Sequence, residues 1–310
     1  MLKGKQTMKQ IAVVLMAGMV AVGGFMSNTA VAKSEPPINK KASKYQWKEK
    51  TAPNYVVRTG KAKVTTKIKK GKVKYSKLDK YGRAGSVTAR ITWKMVKKSL
   101  GWRQDIPESE APSGWGHNGM AAIKLYNGRI YHGYFFNRSH LLADSLGGKA
   151  IKRNLITGTR TQNVGANDST GGMAYTEQKA FKYIKKHKKV NIYYKATPVY
   201  KGSELLPRSV IVNLKSSDKK LNVRVIVYNA AKGYTVNYKM GTYSGSGASS
   251  DTGNANPGSD QTQGEVYITA TGTKYHRDRN CRGLSRAKNV YKVTLKEAKG
   301  KGLTPCSLCY

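Results

Sequence analysis

The sequence predicts an α+β fold with a mostly antiparallel sheet, because several short alternating segments accompany one clearly helical segment. Residues 123–136 alternate between aromatic or aliphatic and polar side chains, and they contain Asn127-Gly128, a strong hairpin-turn signal. Gly171-Gly172 precedes a predicted helix over residues 173–187. Shorter strands are predicted at residues 154–157, 190–199, 209–213, 221–229 and 234–238, and a helix at 86–100.

The first 32 residues have the pattern of a secretory signal peptide. Three lysines precede an apolar stretch at residues 11–25, and Ala30-Val31-Ala32 fits a small-x-small cleavage site. The apolar stretch is short and rich in glycine, which disfavours a transmembrane helix. We therefore expect a secreted, extracellular protein, with retention at the cell wall as a further possibility, and no membrane span after cleavage.

Composition divides the remaining chain into four parts. Residues 33–72 form a lysine-rich lead-in with little periodicity, and residues 73–243 contain the predicted strands and helices. Residues 244–264 are rich in Gly and Ser without an apolar period, as expected for a flexible linker. Residues 265–310 are predicted to form a small separate module.

The charge balance points to a polyanionic partner. The chain carries 57 Lys and Arg against 16 Asp and Glu, a formal net charge of +41, and loses only three of these charges with residues 1–32. Nucleic acid fits such a surface, and so does an anionic cell-wall polymer or membrane surface. Charge alone does not distinguish these partners, and nothing in the sequence implies an oligomer.

The segment Asn137-Arg138-Ser139-His140, followed by Asn163, favours nucleic acid. A phosphodiesterase needs a general base to deprotonate water, a hard cation at the scissile phosphate, and a guanidinium to meet its charge. His140, a cation on the Asn163 carbonyl, and Arg138 would supply these three functions. A structural histidine and a turn asparagine are the alternatives for His140 and Asn163.

Glu177 is a further candidate, because it shares one face of the predicted helix with Met173, Phe181 and Ile184. A carboxylate on an apolar face requires a partner. A metal-bound water or an arginine would satisfy it, and a salt bridge on a slightly rotated helix is the alternative.

The C-terminal module holds all three cysteines of the chain. His276, Cys281, Cys306 and Cys309 have the number and spacing of a tetrahedral Zn²⁺ site. The alternative is a Cys306–Cys309 or Cys281–Cys306 disulfide with one free thiol. Through residues 266–269, 274–276 and 304–306, the module resembles small Cys/His domains that are appended to exported bacterial nucleases.

Residues 137–148 and 156–163 together resemble the DNA/RNA non-specific endonuclease family, in particular secreted streptodornases and DNA-entry nucleases. The resemblance extends over about residues 75–243 and includes Pro112-Ser113-Gly114-Trp115. It implies a ββα-metal (His-Me finger) active site. The usual motif is Asp-Arg-Gly-His, so Asn137 and Ser139 depart from it in a way that resembles streptodornase-type members.

The resemblance implies a role for each motif residue. His140 would be the general base, and Asn163 the direct Mg²⁺ ligand with Mn²⁺ as an alternative cation. Arg138, also a catalytic residue, would contact the phosphate or stabilise the transition state. Glu177 would reach the metal through water. Arg160 and Asn137 are weaker candidates for substrate binding.

These roles predict sequence-nonspecific cleavage of DNA and also of RNA. Two other functions remain open at this stage: a non-catalytic DNA-binding or DNA-uptake protein on a nuclease scaffold, and a cell-wall-binding basic protein.

Overall fold

The computed structural model describes residues 35–101, 104–245, 265–276, 279, 281–284, 287 and 289–306. The predicted signal peptide, residues 246–264 of the predicted linker, and Cys309 lie outside the described residues.

The main body contains twelve described strands and three α-helices. The strands are β1 (Val56–Gly60), β2 (Val73–Tyr75), β3 (Val87–Ile91), β4 (Met120–Lys124), β5 (Ile130–Tyr134), β6 (Phe136–His140), β7 (Leu155–Thr159), β8 (Ile192–Val199), β9 (Ser209–Ser216), β10 (Asn222–Tyr228), β11 (Tyr234–Asn237) and β12 (Thr242–Gly245). The helices are α1 (Trp93–Lys98), α2 (Arg160–Val164) and α3 (Gly172–Lys186).

A six-stranded antiparallel sheet organises this body, in the order β1-β10-β9-β8-β3-β2. One face of the sheet, which we call the inner face, packs against α3 through Met173, Ala180 and Ile184. Strand alternation places Tyr194 and Val212 on this face, where both are fully buried. The predicted α+β class with a mostly antiparallel sheet is confirmed.

Local signals predicted several elements correctly. The hairpin β4–β5 turns around Asn127-Gly128 with Ile123 opposite Tyr131. Helix α3 follows Gly171, and β7 to β11 begin and end within a few residues of their predicted positions. Beneath the hairpin, the Phe135 ring stacks on Tyr243 with centroids 3.9 Å apart, in a second apolar cluster.

The helix predicted over residues 86–100 is wrong in its first half. Val87, Ala89 and Ile91 are buried and alternate with polar residues, which is the period of a strand, and they form β3. Thr92 then caps α1 by accepting a hydrogen bond from the Met95 amide at 3.3 Å.

The loosely ordered lead-in predicted over residues 33–72 is also wrong, because this segment contributes β1 to the sheet. Val56 pairs with Val227 of β10 and points to the inner face, whereas Val57 points to the opposite, outer face. Trp47 stacks on Tyr55 with ring centroids 4.8 Å apart. A short apolar run among many lysines is enough to form an edge strand.

The described C-terminal residues form two small two-stranded ladders and one α-helix. Their elements are β13 (Glu265–Ile268), β14 (Lys274–Tyr275), β15 (Tyr291–Thr294), α4 (Leu295–Gly300) and β16 (Thr304–Pro305). Strand β13 pairs with β15, and β14 pairs in parallel with β16. A capping box between Thr294 and Glu297 starts α4. No helix in the described part of the chain has the length and apolarity to cross a bilayer.

Candidate active site

Strands β6 and β7 and helix α2 form a ββα unit, which we call the finger. The two strands are antiparallel, with Arg138 opposite Thr157 and His140 opposite Leu155. Helix α2 starts directly after β7, because Thr159 accepts a hydrogen bond from the Gln162 amide at 3.0 Å. His140 is therefore the last residue of a strand of the finger itself, and the hairpin β4–β5 is a separate element.

Asn163 is held in a fixed orientation against β6. Its Oδ1 accepts a 3.0 Å hydrogen bond from the Ser139 hydroxyl, which is fully buried. Its Nδ2 donates to Asn137 Oδ1 at 3.4 Å. The two positions at which this chain departs from the usual motif thus both contact the predicted metal ligand.

The backbone around His140 is fixed by buried polar contacts. The Leu141 amide donates to the Asn154 carbonyl at 2.8 Å, and the Asn154 side chain bonds both the amide and the carbonyl of Leu142. The buried Tyr194 hydroxyl donates to the Leu141 carbonyl. The His140 ring, which is partly buried, therefore extends from a rigid strand end.

Glu177 lies on α3, on the inner side of the sheet. Burial raises the pKa of this carboxyl from 4.5 to about 7. Burial and, to a smaller extent, the charge of Glu177 raise the pKa of Tyr194. Glu177 is thus close enough to interact electrostatically with the tyrosine that holds the residue after His140.

The two predicted arginines contact different aromatic rings. Arg138 lies over Trp115 at 5.6 Å from the ring centroid, and its Nη1 donates to the Pro107 carbonyl at 3.1 Å. Arg138 also forms a 3.5 Å ion pair with Glu108, whose side chain is exposed. Arg160, the first residue of α2, lies over Tyr131 at 5.0 Å. Strand alternation places Arg138 on the same face of β6 as His140.

The structure also shows a positioning residue that the sequence analysis missed. Asn54, which precedes β1, accepts a hydrogen bond from the Ala166 amide at 2.8 Å and donates to Thr170 Oγ1 at 2.8 Å. Its carbonyl accepts from the Gly172 amide at 3.1 Å. These bonds fix the turn between α2, which carries Asn163, and α3, which carries Glu177. The contacts join residues more than 100 positions apart, so no local signal marks Asn54.

In the C-terminal module, three of the four predicted ligands converge. Ligand atoms of His276, Cys281 and Cys306 lie within 4.8 Å of one another, and all three residues are buried. The two sulfurs are 3.9 Å apart, which excludes a disulfide between them in this conformation. Burial lowers the pKa of His276, which favours the neutral imidazole that binds metals.

The backbone packs closely around these ligands. The Gly283 amide lies 3.3 Å from Cys281 Sγ. A Cβ at Gly283 would lie 2.8 Å from His276 Cε1 and 3.2 Å from Cys306 Sγ. Buried thiols beside an imidazole suit Zn²⁺, which prefers sulfur and nitrogen ligands in a tetrahedral arrangement.

The family model for DNA/RNA non-specific endonucleases matches residues 62–218, half of the chain, and the chain belongs to this family. A curated deoxyribonuclease from Streptococcus dysgalactiae subsp. equisimilis is 37% identical over 196 residues, which are 54% of this chain and 59% of that protein. The chain thus spans about three fifths of that relative's length. The structure of Sda1 nuclease with bound zinc ion is 38% identical, with a TM-score of 0.62, and the match covers 65% of this chain and 100% of that one.

Proposed function

We propose that the protein is a secreted, metal-dependent endonuclease that hydrolyses phosphodiester bonds of DNA and RNA without sequence preference. The observation that carries this proposal is the fixed Asn163 carboxamide, held by Ser139 at 3.0 Å on a finger whose adjacent strand ends in His140. Membership of the endonuclease family and the name of the deoxyribonuclease relative support it.

The residues of the finger fit a hard divalent cation. Asn163 Oδ1 accepts one hydrogen bond, from Ser139, and keeps a second lone pair for a ligand. Mg²⁺ is bound by few protein oxygens together with water and phosphate, and Mn²⁺ accepts the same ligands. When bound, the cation would neutralise charge on the scissile phosphate. The structure of Sda1 nuclease contains a bound zinc ion, which supports the proposal that this chain also binds a divalent cation.

Three side chains around the finger would supply the remaining functions of the reaction: proton transfer, phosphate contact and water binding. Neutral His140 takes a proton from the attacking water on a ring nitrogen, which raises the nucleophilicity of the water oxygen. Arg138 shares the face of His140 and offers its guanidinium to the phosphate oxygens. Glu177, whose pKa is raised to about 7 by burial, binds water in the second layer of the site and gains charge when a cation is near.

The proposed lack of base preference follows from the contacts of Asn137 and Arg160. Asn137 contacts Asn163, and Arg160 stacks on Tyr131, so both are proposed to support the phosphate-binding surface instead of selecting bases. The large positive charge of the chain supplies affinity for nucleic acid that falls as the salt concentration rises and does not depend on the base sequence.

We propose a structural Zn²⁺ site for the C-terminal module, with His276, Cys281, Cys306 and Cys309 as ligands. Three of these residues converge in buried positions. A module of this size has a small core, and a metal would stabilise it. The proposed domain boundaries remain those of the sequence analysis, except that β1 extends the nuclease domain towards the amino terminus.

Digestion of plasmid DNA and of RNA tests the catalytic proposal. We expect cleavage with Mg²⁺, none with EDTA, and a loss of at least about 100-fold for His140→Ala, the magnitude typical of general-base catalysis. His132→Ala is the matched control, because His132 is exposed on the separate hairpin. Salt-sensitive DNA binding without cleavage in any cation would instead support the non-catalytic DNA-binding alternative.

A further inference from the structure

The outer face of the six-stranded sheet carries a row of cations directed away from the finger. Tyr194 points from β8 towards Leu141, beside His140, so its neighbours Tyr193 and Lys195 point to the opposite face. Directly paired residues of neighbouring strands share a face. By this register the outer face also carries Lys74, Arg90, Lys215 and Arg224.

Residues 61–72, which we call the lysine strap, connect the two edge strands of the sheet, β1 and β2. Its sequence is Lys-Ala-Lys-Val-Thr-Thr-Lys-Ile-Lys-Lys-Gly-Lys, with six lysines and no acidic residue. All six lysines are exposed.

The lysine strap is held to the sheet at both ends and has one buried side chain between them. At one end the Ala62 and Lys63 amides donate to Asn222 Oδ1 and Asn213 Oδ1, each at 2.8 Å. At the other end the Gly71 amide donates to the Arg90 carbonyl at 3.0 Å. Between them, Ile68 is 95% buried. The lysines are therefore presented by a fixed segment, and less conformational entropy is lost when a ligand binds.

Carboxylates do not neutralise this surface. In the described part of the chain, none of the six strap lysines, nor Lys74, Arg90, Lys195, Lys215 or Arg224, takes part in an ion pair. Asp218, in the β9–β10 turn, accepts a 2.7 Å hydrogen bond from Tyr183 of α3 and is thereby turned towards the inner side. The uncompensated charge creates a positive field on the side of the sheet opposite the finger.

We propose that the lysine strap and the adjoining outer-face cations form a second binding surface for duplex nucleic acid, separate from the catalytic finger. The five interstrand spacings between β1 and β2 make the surface about 24 Å wide, at about 4.8 Å per spacing. About seven base pairs of a duplex have this length, with phosphates at 3.4 Å intervals on each strand. Six lysines across this width match a closely spaced row of phosphates.

The position of the surface has a mechanical consequence. Because the finger and the lysine strap lie on opposite sides of one sheet, a single molecule binds two duplexes at once. Attachment through the strap would keep the protein on a DNA-rich network while the finger releases one cleaved segment and binds another, and it raises the local concentration of substrate.

A bridging experiment tests the proposal. The full chain carrying His140→Ala is mixed in EDTA with a biotinylated duplex on beads and a fluorescent duplex in solution, so cleavage cannot intervene. The test variant changes Lys61, Lys63, Lys67 and Lys69 to Gln. One control changes the same lysines to Arg, and a second changes Lys182, Lys185, Lys186 and Lys189 near the end of α3 to Gln, with the same loss of charge.

We expect the His140→Ala chain and both controls to capture the fluorescent duplex, and the strap variant to capture at least about tenfold less. The salt dependence of binding, log Kd against log salt, should fall in slope by up to about 3.6 in the strap variant, at about 0.9 per phosphate contact. Unchanged capture by the strap variant, or equal loss in the α3 control, would overturn the proposal.

Isolated cell walls serve as a further probe. If the strap variant loses binding to wall polymer but still bridges duplexes, the partner of this surface is an anionic wall polymer and the proposal is wrong. The result does not depend on catalysis, because bridging is measured without cleavage. A chain that fails to cleave nucleic acid in the digestion experiment can still bridge two duplexes.

Discussion

The Ser139 hydroxyl donates a 3.0 Å hydrogen bond to Asn163 Oδ1, the atom proposed to bind the catalytic cation. This bond crosses from the second-last residue of β6 to the last turn of α2. The bond therefore couples the orientation of the Asn163 side chain to β6, the strand that carries His140.

Replacement of Ser139 by Ala should therefore lower cleavage by about 10- to 100-fold, the usual cost of removing a residue that orients a metal ligand. The Mg²⁺ concentration needed for half-maximal activity should rise, because Asn163 loses one of its two orienting contacts. Ser86→Ala, which removes an exposed hydroxyl–hydroxyl contact to Ser76 outside the finger, is the control. An unchanged Mg²⁺ requirement in Ser139→Ala would contradict the assigned role.

Trp115, not Glu108, should be the more important support for Arg138. The Glu108 side chain is 78% exposed, and exposed ion pairs contribute about 0–1 kcal/mol. We expect Glu108→Gln to change kcat/KM by less than about threefold, and Trp115→Ala to lower it by about tenfold, since a cation–π contact with a partly buried ring contributes about 1 kcal/mol or more. Steady-state rates on a short duplex would decide, and the reverse order of effects would refute this assignment.

The buried carboxyl of Glu177 should make stability depend on pH. Its pKa is about 7 in the folded protein against 4.5 as the ordinary value, so the folded state holds the proton more tightly. The contribution of this proton binding to the free energy of unfolding is complete below pH 4.5 and is lost as pH rises through about 7. In EDTA, Glu177→Gln should be more stable than the unchanged protein at pH 8.5 by up to about 3 kcal/mol, and similar to it at pH 4.5. Urea unfolding at both pH values would measure this, and a constant difference would contradict it.

Gly283→Ala should weaken zinc binding in the C-terminal module. The added Cβ would lie 2.8 Å from His276 Cε1 and 3.2 Å from Cys306 Sγ, which forces two proposed ligands to move. Gly300→Ala is the matched control, because nothing lies within 4 Å of a Cβ at that position. We expect one bound zinc in the C-terminal module of the unchanged protein and of the control, and at least about tenfold weaker affinity of this module for zinc in Gly283→Ala, by metal analysis and chelator competition. Equal zinc affinity in the two variants would argue against this ligand set.

Local sequence signals predicted β7 of the finger, the separate β4–β5 hairpin and α3, and they indicated the residues proposed to carry the chemistry. Strand β6 of the finger was not predicted. Asn127-Gly128 predicted the hairpin, the helical period predicted α3, and residues 137–140 with Asn163 indicated the proposed site. The contacts that position these residues were not predicted. Asn54 reaches Ala166, and Asn229 accepts from the Thr159 amide at 2.7 Å. Both bonds join distant parts of the chain, and asparagine has no pattern that distinguishes such a role from an ordinary turn.

The departures at Asn137 and Ser139 also gained their meaning only from the structure. From the sequence alone, these two differences from the usual motif are compatible with either an active or an inactive site. In the fold, both side chains form hydrogen bonds with Asn163. The carboxamides of Asn137 and Asn163 and the hydroxyl of Ser139 therefore act as one unit. Periodicity describes single elements, whereas this unit depends on how β6 packs against α2.

The pairing of Val56 with Val227 joins β1 and β10, the strands before and after the catalytic region in the chain. We call this strand pairing the seam. Every residue proposed to act in cleavage lies between these strands in the chain. The seam cannot form during synthesis until the whole catalytic region has been made, because β10 is the later partner. Trimming from either end by a protease would open the same seam, and loss of β1 or of β10 would expose the same edge of the sheet.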